Sequence, residues 1–147
     1  MDWTDVIRFA RGEANAAPRR DERTEEAWRT ALSPEQYQVL RLKGTERAFS
    51  DPMCSLFQPG RYACAGCGTS LFDSASKFES GTGWPSFAEP VADGVVGYHL
   101  DESHGMQRIE ALCNVCDGHL GHVFPDGPAP SGLRYCMNAL ALEKEAD

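Results

Sequence analysis

Trp3, Val6, Ile7 and Ala10 recur at helical spacing in an otherwise polar opening stretch, which predicts a short amphipathic helix ending near Gly12. After a loop through Ala16, Ala17 and Pro18, Thr24 offers the cap of a second helix whose apolar side carries Trp28. Ser33-Pro34-Glu35-Gln36 is a helix start with a mechanism. Ser33 caps, Pro34 suits the first helical position and Gln36 reaches back to close a capping box, so a third helix is expected to about Lys43. Beyond Gly44 the helical period disappears. Short β-like runs take over: Arg61 to Cys64, Ser70 to Phe72, Val95 to Leu100, Met106 to Ala111, His122 to Phe124 and Leu133 to Leu142. Turn signals such as Asp93-Gly94, Pro125-Asp126-Gly127-Pro128 and Ser131-Gly132 separate them, so the body is expected to be mainly antiparallel β.

Composition narrows the class. The 147 residues, 41% hydrophobic and 24% charged, suffice for one domain with a real core. A net charge of -8 argues against a general grip on nucleic acid or an anionic membrane, because such binding works by neutralising phosphates. No apolar run approaches the roughly 20 residues that span a bilayer. The opening Met1-Asp2-Trp3-Thr4-Asp5 lacks the basic and apolar regions of a signal peptide, so the chain is expected to stay in the cytoplasm. Residues 1–30 hold six arginines, seven acids and no cysteine, a composition unlike the remainder. Residues 1–31 are therefore read as an N-terminal helical appendage and 32–147 as the main domain.

Four of the six cysteines form two Cys-x-x-Cys pairs, Cys64-Ala65-Gly66-Cys67 and Cys113-Asn114-Val115-Cys116. Each pair puts two thiolates on a tight turn, and together they match the four-sulfur shell of a structural zinc, closed to water and substrate. The alternative, redox dithiols, explains one such pair more easily than two matched ones. With four sulfurs in the shell, the nearby His119 and His122 are left over for other work.

Those histidines, with Phe124 and the later Arg134-Tyr135-Cys136-Met137-Asn138, concentrate the side chains of a reactive centre. If Leu133 to Leu142 is one strand, alternation puts Arg134, Cys136 and Asn138 on one face. A guanidinium there favours the Cys136 thiolate, and an imidazole can give a proton to a developing oxygen. A lone strand cysteine is ordinarily a small core residue; it is this company that marks Cys136 as a nucleophile. In Gly81-Thr82-Gly83-Trp84-Pro85-Ser86-Phe87, Trp84 and Phe87 are either core aromatics or a wall for a methyl thioether or sulfoxide, since sulfur and aromatic rings attract.

Gly44-Thr45-Glu46, Lys77 to Phe87, Gly105-Met106-Gln107-Arg108-Ile109-Glu110, His119 to Gly127 and Arg134 to Asn138 together resemble the type B methionine sulfoxide reductases, over about Leu32 to Leu142. The resemblance implies two antiparallel sheets in a tent-like arrangement with a zinc-knuckle site, and specificity for the R epimer at sulfur in oxidised peptides or proteins. It further implies attack by Cys136, support of its thiolate by Arg134, handling of the substrate oxygen by His119, His122 and Asn138, a methyl cradle of Trp84 and Phe124, and recycling by a thioredoxin-like reductant.

Many members of that family carry a resolving cysteine where this chain has Thr82. Cys54 is the cysteine left after metal and nucleophile are assigned, and it is the candidate resolving residue; the alternative is direct attack of an external reductant on an oxidised Cys136. Two other classes are compatible with the cysteines: a zinc-stabilised binding module whose aromatic patch docks a protein, and a redox sensor whose Cys136 records oxidation without turnover.

Overall fold

The computed structural model describes residues 1–146. Its three helices begin where the sequence supplies caps. α1 (Trp3–Ala10) starts with a capping box between Asp2 and Asp5, α2 (Glu25–Ala31) is capped by Thr24, and α3 (Pro34–Leu40) carries the Ser33 and Gln36 box with Pro34 at its first turn. Each cap satisfies backbone N–H groups that the first turn otherwise leaves without partners. α3 stops at Leu40, short of the expected Lys43, where the chain turns through Lys43 at a φ of 58°.

Nine strands follow among the described residues: β1 (Arg61–Cys64), β2 (Ser70–Asp73), β3 (Lys77–Phe78), β4 (Ser86–Phe87), β5 (Val96–Asp101), β6 (Arg108–Cys113), β7 (His119–Phe124), β8 (Arg134–Met137) and β9 (Leu142–Lys144). They form two antiparallel sheets, β2-β1-β9 and β3-β4-β8-β7-β6-β5. The run expected as one strand from Leu133 to Leu142 is divided between them. A 3-10 turn over Ala139–Ala141 breaks it, so β8 lies in the larger sheet and β9 in the smaller.

An aromatic cluster joins the sheets. Phe72 of β2 stacks on Phe87 of β4 at 4.5 Å between ring centres and tilts against Tyr135 of β8 at 5.6 Å, and Tyr62 of β1 meets Phe87 edge-on at 5.4 Å. All four rings are buried, and close aromatic pairs of this kind add to what their burial alone contributes. Cross-strand register then sorts the larger sheet. Phe87, Tyr135, Val123 and Ile109 are aligned on the face toward the core, and Ser86, Cys136, His122 and Glu110 on the other.

Residues 1–31 pack into the same core. Val6 and Trp28 are buried within it, and Phe9 stacks on Tyr98, whose hydroxyl lies 2.6 Å from that of Tyr135. Further contacts bind this segment to the two Cys-x-x-Cys turns. Arg19 donates to the Cys67 carbonyl and the Thr69 hydroxyl, Arg20 to the Asn114 carbonyl and the Asp117 carboxylate.

One close approach governs the centre of the larger sheet. A β-carbon added at Gly121 of β7 would lie 2.0 Å from the Cys136 carbonyl oxygen of β8, a backbone atom that cannot move aside. Gly121→Ala is therefore expected to separate the two strands and lower stability by about 2 kcal/mol. Urea unfolding followed by tryptophan fluorescence should show the midpoint fall; an unchanged midpoint would contradict this account of the strand spacing.

Candidate active site and metal centre

The two Cys-x-x-Cys turns meet. Cys64 Sγ and Cys116 Sγ are 3.7 Å apart, Cys67 Sγ and Cys113 Sγ 3.6 Å, and all four sulfurs lie within 4.8 Å of one another. A tetrahedral zinc with bonds of about 2.3 Å sets its sulfurs about 3.8 Å apart, so the four fit one ion. The pairing across the turns makes them a single cluster. Contact with Cys113 holds the Cys64 thiol well above the usual thiol range, and contact with Cys116 does the same for Cys113. Contact with Cys113 pushes Cys67 and Cys116 the other way, so the four share their protons unequally, and a bound cation would let all four ionise together. Arg41 donates to the Cys116 carbonyl at 2.8 Å, and its guanidinium and that of Arg23 both lie over the Trp28 ring, which abuts Gly66 of the first turn.

On the outer face of the larger sheet is a cleft of about 110 Å³ containing Cys136. Trp84, His122, Phe124 and Asn138 line it as well, so five of the side chains singled out from sequence are gathered there. Thr45, Arg108 and Gly121 line it too. Thr45 and Arg108 belong to motifs of the sequence, but neither their residue type nor their spacing marks a role there.

Cys136 is half-buried. Burial raises its thiol above the ordinary value and Glu46 adds to that, while the Arg134 guanidinium and the Thr82 hydroxyl pull it down. Arg134 is fixed for this duty: it lies over the Phe124 ring at 4.4 Å and bonds Asp126 through Nε at 2.8 Å and Nη2 at 3.2 Å. Thr82 is the end of a chain of hydroxyls. Ser86, directly across the ladder from Cys136, donates to Ser80 at 2.8 Å, and Ser80 and Thr82 are 2.8 Å apart.

Two carboxylates hold the imidazoles. His122 Nε2 lies 2.7 Å from Asp101 Oδ2, and His119 Nδ1 2.7 Å from Glu110 Oε2. Burial lowers the His122 pKa although Asp101 opposes it, which keeps the ring mostly neutral at pH 7. Burial works against the Asp101 charge, yet hydrogen bonds from Ser103 and His122 hold that carboxyl well below its usual range. His119 is buried beneath, its ring 5.5 Å from that of His122, and its Nε2 has no hydrogen-bond partner among the described residues. Carboxylates in this position fix which ring nitrogen carries the proton.

Asn138 follows β8 at the break in the expected strand, so alternation along that strand does not explain its position. Its side-chain oxygen accepts from the Glu46 N–H at 3.0 Å and its amide nitrogen donates to the Leu120 carbonyl at 3.0 Å. Glu46 in turn accepts from the Trp84 indole through its carbonyl at 3.1 Å and from the Leu140 N–H through its carboxylate at 3.0 Å. The segment from Thr45 to Phe49 is thereby laced to the Trp84 loop and to the chain after Cys136.

Cys54 does not line the cleft. It ends a 3-10 turn, Pro52–Cys54, held by Lys77 Nζ, which donates to the carbonyls of Met53 and Leu56. Lys77 is on the outermost strand, β3, two strands from β8 and aligned with Phe87 and Tyr135 on the face away from Cys136.

The SelR domain family matches residues 32–146. The chain is 55% identical over 121 residues to a protein named peptide methionine sulfoxide reductase MsrB from Leptospira interrogans, covering 82% of this chain and 92% of that one. Proteins of the same name from Bradyrhizobium diazoefficiens and Pseudomonas fluorescens are each 57% identical, over 84% and 83% of this chain and 88% and 94% of their own lengths.

Thr82→Val removes the hydroxyl beside Cys136 and nothing charged. Losing a hydrogen bond to the thiolate is expected to shift the midpoint of Cys136 alkylation by iodoacetamide upward by about one pH unit. The measurement is alkylation rate against pH by mass spectrometry, with Thr82→Ser expected to restore the original profile; an unshifted midpoint would remove Thr82 from the account.

Proposed function

The chain belongs to the SelR family and is a peptide methionine sulfoxide reductase, and from that premise we propose that Cys136 reduces the R epimer of methionine sulfoxide by direct attack on sulfur. The observation that carries this is the half-buried thiol in the small cleft, with Arg134 to favour its thiolate and aromatic rings around it. The thiolate attacks the electrophilic sulfur, the oxygen takes up a proton, and methionine leaves while that oxygen ends on Cys136 as a sulfenic acid. The imidazolium form of His122 or His119 delivers that proton and takes its replacement from water, each ring being oriented by its carboxylate. Asn138 fixes the walls of the cleft and offers its remaining amide N–H to the oxygen. Trp84 and Phe124 take the methyl group, as aromatic faces attract sulfur and its substituents.

The metal is zinc, held by Cys64, Cys67, Cys113 and Cys116, and what it supplies is folding stability, since a shell of four thiolates leaves no position open. Free thiols with both a structural and a chemical duty suit a reducing compartment such as the cytoplasm. If the reading is right, purified protein contains one zinc per chain and turns over only the R epimer of a blocked methionine sulfoxide with excess dithiothreitol. Cys136→Ser is expected to be inactive, below about a thousandth of the parent rate, with its zinc intact. Turnover by the serine variant, or of the S epimer alone, would overturn the assignment.

Recycling proceeds through Cys54. Its thiol attacks the Cys136 sulfenic acid, releasing water and leaving a disulfide, which a thioredoxin-like dithiol then reduces. In support, the segment around Cys54 has no regular structure after Ser55 and exposes Leu56 and Phe57, apolar surface suited to a docking reductant. A disulfide needs α-carbons within about 7 Å, so this route requires Cys54 and Cys136 to come that close. One turnover without reductant should give a Cys54 to Cys136 crosslinked peptide in mass spectra; a stable sulfenic acid with no crosslink would reject this route.

A further inference from the structure

A groove of about 300 Å³ lies between α1 and the end of the β5, β6 and β7 ladder. Ile7 and Ala10 form one side, Leu100, Ile109 and Val123 the other. Its helical side comes from residues that the family match leaves out. Arg108 and Phe124 line both this groove and the Cys136 cleft. Register puts Phe124 and Cys136 on one face of the sheet and Val123 on the other, so the pair Arg108 and Phe124 forms the crest between the two hollows.

We propose that this groove is a second subsite for polypeptide substrates, taking an apolar side chain a few residues from the methionine sulfoxide in the cleft. The proposal rests on the reductase reading. Its chemistry follows from the lining: Leu100 is 41% exposed, and Ile7, Ala10 and Phe124 are half-buried, so a hydrocarbon side chain seated there removes their remaining surface from water. The substrate's own origin agrees. Methionine is a core residue, so its neighbours in a damaged, opened protein are commonly apolar. The crest also offers a polar anchor. The Arg108 guanidinium is partly exposed and bonds Asp101 through Nη2 at 3.3 Å, which holds it on the crest and leaves further N–H groups for a backbone carbonyl of a peptide crossing from cleft to groove. A single blocked amino acid fills only the cleft, so the groove contributes nothing to its turnover.

The test compares kcat/KM for N-acetyl methionine-R-sulfoxide amide with two blocked heptapeptides that have methionine-R-sulfoxide at the centre, flanked in one by leucines and in the other by glycines. The leucine peptide is expected to exceed the glycine peptide by about tenfold, mainly through KM. Ala10→Trp, which fills the groove, should bring the two peptides to equal kcat/KM, and Leu100→Gln, on the opposite wall, should narrow the gap without touching α1. Equal kcat/KM for the two peptides in the parent protein, or a gap that survives both variants, would overturn the groove alone. Absence of turnover with all three substrates would overturn the reductase reading and the groove with it.

Discussion

Four sulfur atoms within 4.8 Å of one another are the constraint on which the rest of the fold depends. The turn after β1 and the turn after β6 come from different sheets and from parts of the chain almost fifty residues apart, as the Cys67 and Cys113 contact spans 46 positions. Cys64, Cys113, Val115 and Cys116 are buried in the core there, but apolar packing alone does not aim four sulfurs at one point. A cation bound there would convert four mutually repelling thiolates into one bonded unit and tie the sheets at that end. The aromatic cluster of Phe72, Phe87, Tyr62 and Tyr135 joins them as well. The sheet that carries Cys136 is packed on the smaller one through Phe87 and Tyr135.

The N-terminal arginines extend the first fastening. A guanidinium delivers several donors in a fixed plane, and Arg19, Arg20 and Arg41 spend theirs on backbone carbonyls of the two turns. Trp28, between Arg23 and Arg41, closes over Gly66, where an added β-carbon would sit 3.3 Å from the ring. A segment whose composition marks it off from the rest is thus packed on the part of the molecule that most needs holding.

Legibility from sequence followed the range of the forces involved. Helix starts were readable because a cap acts within four residues, as Ser33 and Gln36 illustrate. The metal cluster was readable because ligand spacing is a local property of each turn. The two-residue strands β3 and β4 left no pattern to detect, since period-two alternation needs several residues. The change of sheet after Met137 was hidden for a different reason: Ala139 to Leu142 is as apolar as a continuing strand, and the bend is held by Glu46, which reaches Asn138 and Leu140 from across the molecule. Long-range partners escaped in the same way. Asp101 and Glu110 stand far from their imidazoles in sequence and meet them only when β5, β6 and β7 assemble. Cys54 was singled out by elimination, and elimination carries no information about which face of a sheet a residue reaches.

The change of sheet has a mechanical meaning. Leu142, where β9 begins, is paired with Cys64, and only five residues separate it from Cys136. Cys136, the proposed nucleophile, therefore hangs on a short tether whose far end is pinned beside a sulfur of the cluster. An oxidant that strips electrons from the cluster's sulfurs would loosen the tether, and the slack would reach Cys136 without any change in the cleft itself. A protein that acts on oxidised sulfur thus has its own aim set by sulfur that must stay reduced.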